Sequence, residues 1–216
     1  MFARIAIATL MISIPALAQF SGPHTNVLDT APLKPPPGAR VAIFEFEDLE
    51  CPDCARAAPL VKEAAAKYHI PLVRHDFPLP FHAWSFDAAV YARWFDTKST
   101  KAKPLGDDFR DEVFASQPNI ATVDDVRAFA DKFAKSHGID LPFAIDPTGA
   151  LAAKVKADYA LGQRIGIEHT PTIWVVTNQT KGVPFVEVVD RSKLYEMIEE
   201  AQAETGSSPK STTAKR

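Results

Sequence analysis

Residues 41–46, Val-Ala-Ile-Phe-Glu-Phe, are apolar at every position but Glu45. A run of that length without alternation is a strand covered on both faces, as in the interior of a sheet. A helical stretch rich in Ala, Lys, Glu and Leu follows at 55–68, and a second strand at 71–77. Strand, helix and strand in so short a span require a parallel pair joined by a right-handed crossover. That unit makes the chain α/β and leaves the remainder to extend or cover the sheet.

Beyond it, residues 83–95, 107–116 and 123–137 are helical by spacing. Phe114, Phe129 and Phe133 can point inward from the last two, and Gly138 can close the third as a C-cap. One more helix spans 151–163, strands follow at 172–177 and 185–189 around a turn containing Gly182, and a helix at 192–204 carries Leu194, Met197 and Ile198 on one face. The outline is a central mixed sheet with helices on both faces and a helical block inserted over about 82–150. No internal repeat is present. Residues 19–40, ending Lys-Pro-Pro-Pro-Gly-Ala-Arg, read as an extended Pro-rich arm. The Ser/Thr/Lys stretch 205–216 reads as a disordered tail. A chain of 216 residues suits one well-buried domain, at 41–204.

The formal charge of −3 carries no basic excess, so nucleic acid is not an expected partner. At the N-terminus one Arg precedes an apolar run at 5–14, then Pro15 and Ala16-Leu17-Ala18. That order of charge, apolar run and small residues predicts a secretory signal at 1–18. The run is too short to span a ~30 Å bilayer core as a helix, and no cysteine follows it to take a lipid. The expected destination is an oxidising extracytoplasmic space.

Cys51 and Cys54 are the only cysteines. A disulfide across two residues closes too small a loop to serve as a staple, which points to chemistry. Between a strand and a helix, Cys51 falls at the helix N-terminus, where free amides and the dipole favour a thiolate. Pro52 takes the first helical position, and Cys54 lies one turn deeper as a shielded partner that resolves a mixed disulfide. A zinc site would need two more ligands, and His24, His69, His75, His82, His137 and His169 are scattered, so no metal is expected. Glu45 shares a strand face with Val41 and Ile43. Burial below the Cys turn would raise its pKa and let it exchange protons with Cys54; an edge position or an ordinary salt bridge is the alternative. Pro59, inside the helix, removes a backbone hydrogen bond and should kink it. His169-Thr170-Pro171-Thr172 leads into the strand at 172–177, where a cis proline would be a tight-turn device.

The acid-bearing strand, Cys-Pro-Asp-Cys, the helix with Pro59 and the late Thr-Pro-Thr together resemble the thioredoxin superfamily. The helical block resembles its DsbA-like branch, the exported thiol–disulfide oxidoreductases of bacteria. The stretch from Phe44 through Glu45 to Cys54 is similar to that branch's active-site segment. Phe77-Pro78-Leu79-Pro80-Phe81-His82-Ala83 is similar to its approach to the inserted helices, and Gly166-Ile167-Glu168-His169-Thr170-Pro171-Thr172 to its proline loop. The likeness covers roughly 39–204. It implies a thioredoxin-like fold, Cys51 as exposed nucleophile, Cys54 as resolving thiol and Glu45 as buried acid. Pro171 would be the cis-proline facing the disulfide, with the Thr170 backbone pairing with an extended substrate. It further implies a periplasmic monomer without cofactor, acting on cysteine-containing exported proteins and recycled by a membrane redox partner. The expected role is that of an oxidant promoting disulfide formation. A reductase or isomerase is the alternative, though the arm is too short for a dimerisation domain. In another class stands a binding module with a permanently closed disulfide.

The best-known oxidants of that branch place a histidine in the Cys pair, where this chain has Asp53 with Glu47, Asp48 and Glu50 just before. A nearby carboxylate disfavours a thiolate, although acids also suit a helix's first turn. Pro52 and Asp53 are therefore the expected redox-tuning positions, with Cys51 less acidic than in a histidine-type oxidant. A peroxidase would want a hydroxyl and an arginine near its thiol rather than acids. His82 and Trp84, at the start of the inserted block, read as surface-loop residues.

Overall fold

Strand β1 (Val41–Glu47) is buried along its whole length and lies inside a four-stranded sheet of order β2-β1-β3-β4. The computed structural model describes residues 33–179 and 185–207; the expected signal, the arm as far as 32, the Gly182 turn and the tail from 208 lie outside them. After β1 come α1 (Pro52–Tyr68) and β2 (Leu72–Asp76), parallel to β1 with Ile43 opposite Leu72 and Glu45 opposite Arg74. Four helices follow: α2 (Ser85–Asp96), α3 (Leu105–Ser116), α4 (Val123–Ser136) and α5 (Ala150–Ile165). The chain returns through β3 (Thr172–Thr177), antiparallel to β1, and β4 (Phe185–Glu187), antiparallel to β3, to α6 (Leu194–Glu204). The mixed sheet with an inserted helical block is the expected architecture.

Residues alternate across β1 because successive side chains leave opposite faces of a strand. Val41 and Ile43 pack with Ala57, Val61 and Ala64 of α1 and Leu194 and Ile198 of α6. Ala42, Phe44 and Phe46 pack on the other face with Trp174, Ile165 of α5 and Leu33 from the Pro-rich arm. The approach of α5 is close. A Cβ on Gly162 would stand 2.5 Å from the Phe77 ring.

A third core belongs to the helical block, where the rings of Phe95, Phe109 and Phe133 meet with centroids 4.7–5.3 Å apart. Leu49, Cys51, Cys54 and Trp84 belong to this core. The inserted block therefore walls in the two cysteines.

Local signals set the boundaries. A capping box between Thr122 and Asp125 starts α4, and Gly138 follows it with φ +69. Helix α1 runs unbroken through Pro59. The last strand ends at Glu187 rather than 189: the chain turns at Asp190, whose carboxylate accepts the Ser192 N–H at 3.0 Å and caps a short turn, Arg191–Lys193, before α6. Thr205, the first residue of the expected tail, is buried, and its hydroxyl donates to the Ala201 carbonyl at 2.8 Å. Among the described residues no helix is long and apolar enough to cross a membrane.

Candidate active site

Beyond Glu47 the chain makes one tight turn, closed by Cys51 N–H donating to the Asp48 carbonyl at 3.0 Å. This leaves Cys51 with extended backbone at the N-cap of α1 and Pro52 as the first helical residue. Both thiols are free. Cys54 is completely buried, and Cys51 is only 7% exposed, less open than a nucleophile was expected to be, because Thr170 lies against it. The Cys51 thiol donates to the Thr170 carbonyl at 3.4 Å, and the Thr170–Pro171 bond is cis. The Asp48 N–H donates to the Cys54 sulfur at 3.4 Å.

The two sulfurs are electrostatically opposite. A hydrogen bond from the Cys54 thiol is the largest influence on Cys51; with the Thr170 side chain and the amides of Cys54 and Asp53 it outweighs burial and lowers the Cys51 pKa to about 5. The Thr170 hydroxyl is buried without a hydrogen-bond partner of its own. Burial, followed by its interactions with Cys51, pushes Cys54 far above an ordinary thiol. One sulfur is prepared to be a thiolate and the other to keep its proton.

The acids expected to oppose that thiolate are all engaged. Glu47 forms ion pairs with Arg110 at 3.1 Å and Arg74 at 3.6 Å. The Asp48 carboxylate accepts the N–H groups of Glu50 at 2.8 Å and Leu79 at 2.6 Å, and lies 2.8 Å from His82 Nδ1. Glu50 accepts the N–H groups of Trp84 at 2.7 Å and Ser85 at 3.1 Å, at the start of α2. Asp53 accepts from Arg191 at 2.7 Å and Arg56 at 3.0 Å, and Arg191 first, then Arg56, hold its pKa below the ordinary carboxylate value against some burial. Clustered acids in the sequence are thus dispersed partners in space. The surface-loop reading of His82 and Trp84 is corrected by the same contacts: Trp84 is buried against the cysteines' core, and His82 docks on Asp48.

Glu45 is fully buried beneath the turn, and neither carboxylate oxygen has a hydrogen-bond partner. Burial, reinforced by the Glu47 charge and opposed by Arg74, raises its pKa to about 8, and its charge in turn acts on Cys54. Around it runs a charged layer joining sheet to insertion. Arg110 of α3 reaches Asp76 at 3.1 Å as well as Glu47, Arg74 reaches Asp111 at 2.8 Å, and Arg93 of α2 pairs with Asp76 and Asp158.

Of the positions singled out in the sequence, Cys51, Cys54, Thr170 and Pro171 meet at one point, with Glu45 below and Pro52 and Asp53 on the first turn of α1. Missed were Arg191, Arg74, Arg110 and Gln117, whose side-chain amide donates to the carbonyls of Leu49 at 2.7 Å and Cys51 at 3.1 Å. No local pattern marks them. Only an arginine count on otherwise buried-looking elements could have raised the question.

The family model described as Thioredoxin matches residues 36–199. Among solved structures, Wolbachia pipientis α-DsbA1 is 17% identical with a TM-score of 0.62, covering 86% of this chain and 95% of its own. The thiol-disulfide exchange protein α-DsbA2 of the same organism is 17% identical with a TM-score of 0.60, covering 77% and 84%. Pseudomonas aeruginosa DsbA2 is 22% identical with a TM-score of 0.52, covering 75% and 88%. No curated protein matches this sequence.

Proposed function

We propose that this chain, which belongs to the thioredoxin family, is an exported thiol–disulfide oxidoreductase that oxidises cysteine pairs in other exported proteins. The observation that carries the proposal is the opposition between the two sulfurs, Cys51 lowered to about 5 and Cys54 pushed up by burial. Stabilising the Cys51 thiolate stabilises the reduced pair, and a pair that is stable when reduced is an oxidant when its disulfide is formed.

In the oxidising direction a substrate thiolate attacks Cys51 Sγ of the Cys51–Cys54 disulfide. The S–S bond breaks and a mixed disulfide forms. Cys54 leaves and takes up a proton, which Glu45 can supply, since its raised pKa keeps it protonated at neutral pH. A second substrate thiolate then attacks the substrate sulfur, and Cys51 departs as a thiolate. Two electrons have passed from the substrate dithiol to the Cys pair, and a membrane partner that accepts two electrons must reoxidise it. Thr170, whose carbonyl faces Cys51, would pair with the substrate backbone beside Pro171. Asp53 and Pro52 tune the thiol from the helix's first turn. A periplasmic location rests on the pattern at 1–18.

The test is stoichiometric oxidation of a dithiol peptide by the disulfide form. Wild type should transfer its disulfide and Cys51→Ser should not; reduced Cys54→Ser, offered the disulfide form of the peptide instead, should accumulate a mixed disulfide through Cys51, with one peptide sulfur leaving as a thiol. Expression in cells lacking their own periplasmic oxidase should restore disulfide formation. If native Cys51 alkylates no faster than Cys54 and no disulfide is transferred, the binding-module alternative replaces this reading.

A further inference from the structure

Asp53 differs from the other acids around the Cys pair. Glu50 and Asp48 secure the helical block, and Glu47 joins the arginine layer, whereas Asp53 is held from the C-terminal end of the chain. Arg191 grips it twice: Nη2 donates to Oδ1 at 2.7 Å and Nη1 to the Asp53 backbone carbonyl at 3.3 Å. Arg56 shares Oδ1 at 3.0 Å, but its side chain is 69% exposed against 34% for Arg191. An exposed i,i+3 pair contributes little. The Arg191 contact is the more substantial of the two.

Arg191 is also well placed before it binds. Val188 is buried, with its N–H on the Ile173 carbonyl at 2.8 Å, and Leu194, the first residue of α6, is fully buried. Between these anchors Asp190 caps the Arg191–Lys193 turn, accepting both the N–H and the hydroxyl of Ser192 at 3.0 and 2.7 Å. The guanidinium is presented by a braced turn rather than by a free loop.

We propose that Arg191 is a positioning residue of the thiol chemistry, cancelling the Asp53 charge beside Cys51 so that an acidic Cys-Pro-Asp-Cys can still hold a thiolate. The step it influences is the departure and attack of the Cys51 sulfur, and it touches neither sulfur itself. The consequence for disulfide transfer rests on the proposed oxidoreductase activity. The electrostatic coupling does not, and is measured without any substrate.

The experiment is ultraviolet titration of the Cys51 thiolate in the reduced protein. Arg191→Ala should raise the Cys51 pKa by about 0.5–1 unit, equivalent to about a threefold to tenfold loss of thiolate stabilisation. Asp53→Asn alone should leave it equal or lower, Arg191→Ala with Asp53→Asn should return it to near wild type, and Arg191→Lys should retain most of the effect. A structural role alone would lower the melting temperature and leave the titration where it was. If Arg191→Ala fails to fold, Asp53→Asn and Arg191→Lys still decide the matter: a rise in the Asp53→Asn titration overturns the proposal. So does an unchanged Cys51 titration in folded Arg191→Ala. Failure of disulfide transfer with the titration pattern intact would count against the proposed function and not against this coupling.

Discussion

Replacing Glu45 with glutamine keeps the shape of the side chain and removes its charge at every pH. Glu45 is fully buried and its pKa is raised from an ordinary 4.5 to about 8, chiefly by burial. In the unfolded chain the carboxyl loses its proton near 4.5, whereas in the folded chain it keeps it. The folded state therefore binds more protons between these values, and stability falls as pH rises through that window. From 4.5 to 7 lie about 2.5 pH units at about 1.4 kcal/mol each, so the buried acid costs the reduced protein about 3 kcal/mol at pH 7, relative to its stability below pH 4.5. Glu45→Gln should match wild type near pH 4.5 and exceed its stability by about 3 kcal/mol at pH 7, with a larger margin at pH 8. Urea unfolding of the reduced proteins across this range reads the difference directly. A constant offset between the two, with no growth toward alkaline pH, would refute the assignment of a protonated Glu45.

Other perturbations test the remaining parts of the site and its support. Thr170→Val removes a buried hydroxyl that lowers the Cys51 pKa and should move the thiolate titration upward from about 5; an unchanged titration would remove the hydroxyl from the account. Gly162→Ala would gain about 1 kcal/mol in an ordinary helix. Here the new methyl meets the Phe77 ring at 2.5 Å, and thermal unfolding should show a loss of about 1–3 kcal/mol. Arg110→Ala leaves Glu47 and Asp76 short of a buried partner and should cost about 3–5 kcal/mol in chemical unfolding; a cost below about 1 kcal/mol would mean that the charged layer relaxes easily.

What could be read from the sequence was local. The apolar run around Glu45 identifies the central strand, the position of Cys51 before Pro52 a helix start, and Thr170-Pro171 a turn into β3; that the last faces the cysteines followed only from the resemblance to the thioredoxin superfamily. These features need only neighbours along the chain. Harder to read was where charges go once the chain is folded. Glu47, Asp48, Glu50 and Asp53 stand close to Cys51 in sequence and suggest a repelled thiolate. Their partners are Arg110, His82, the amides of Trp84 and Ser85, and Arg191, which lie 34 to 138 positions away. Alternation across β1 sends Glu47 toward α3, and the turn directs Asp48 and Glu50 onto the helical block. Trp84 was misjudged for a related reason: its neighbours Pro80, Phe81 and His82 look like a loop, and only the core that the helical block shares with Leu49, Cys51 and Cys54 buries the indole.

The central claim is that the helical turn holds Cys51 as a thiolate while Cys54 keeps its proton, so that the disulfide is readily reduced and the protein acts as an oxidant. Equilibration of the Cys51–Cys54 pair with glutathione tests it most directly, with the fraction reduced followed by alkylation. The account predicts a reduction potential between about −200 and −120 mV, on the oxidising side of the glutaredoxins. A value at or below about −270 mV, in the range of the reductant thioredoxin, would contradict it.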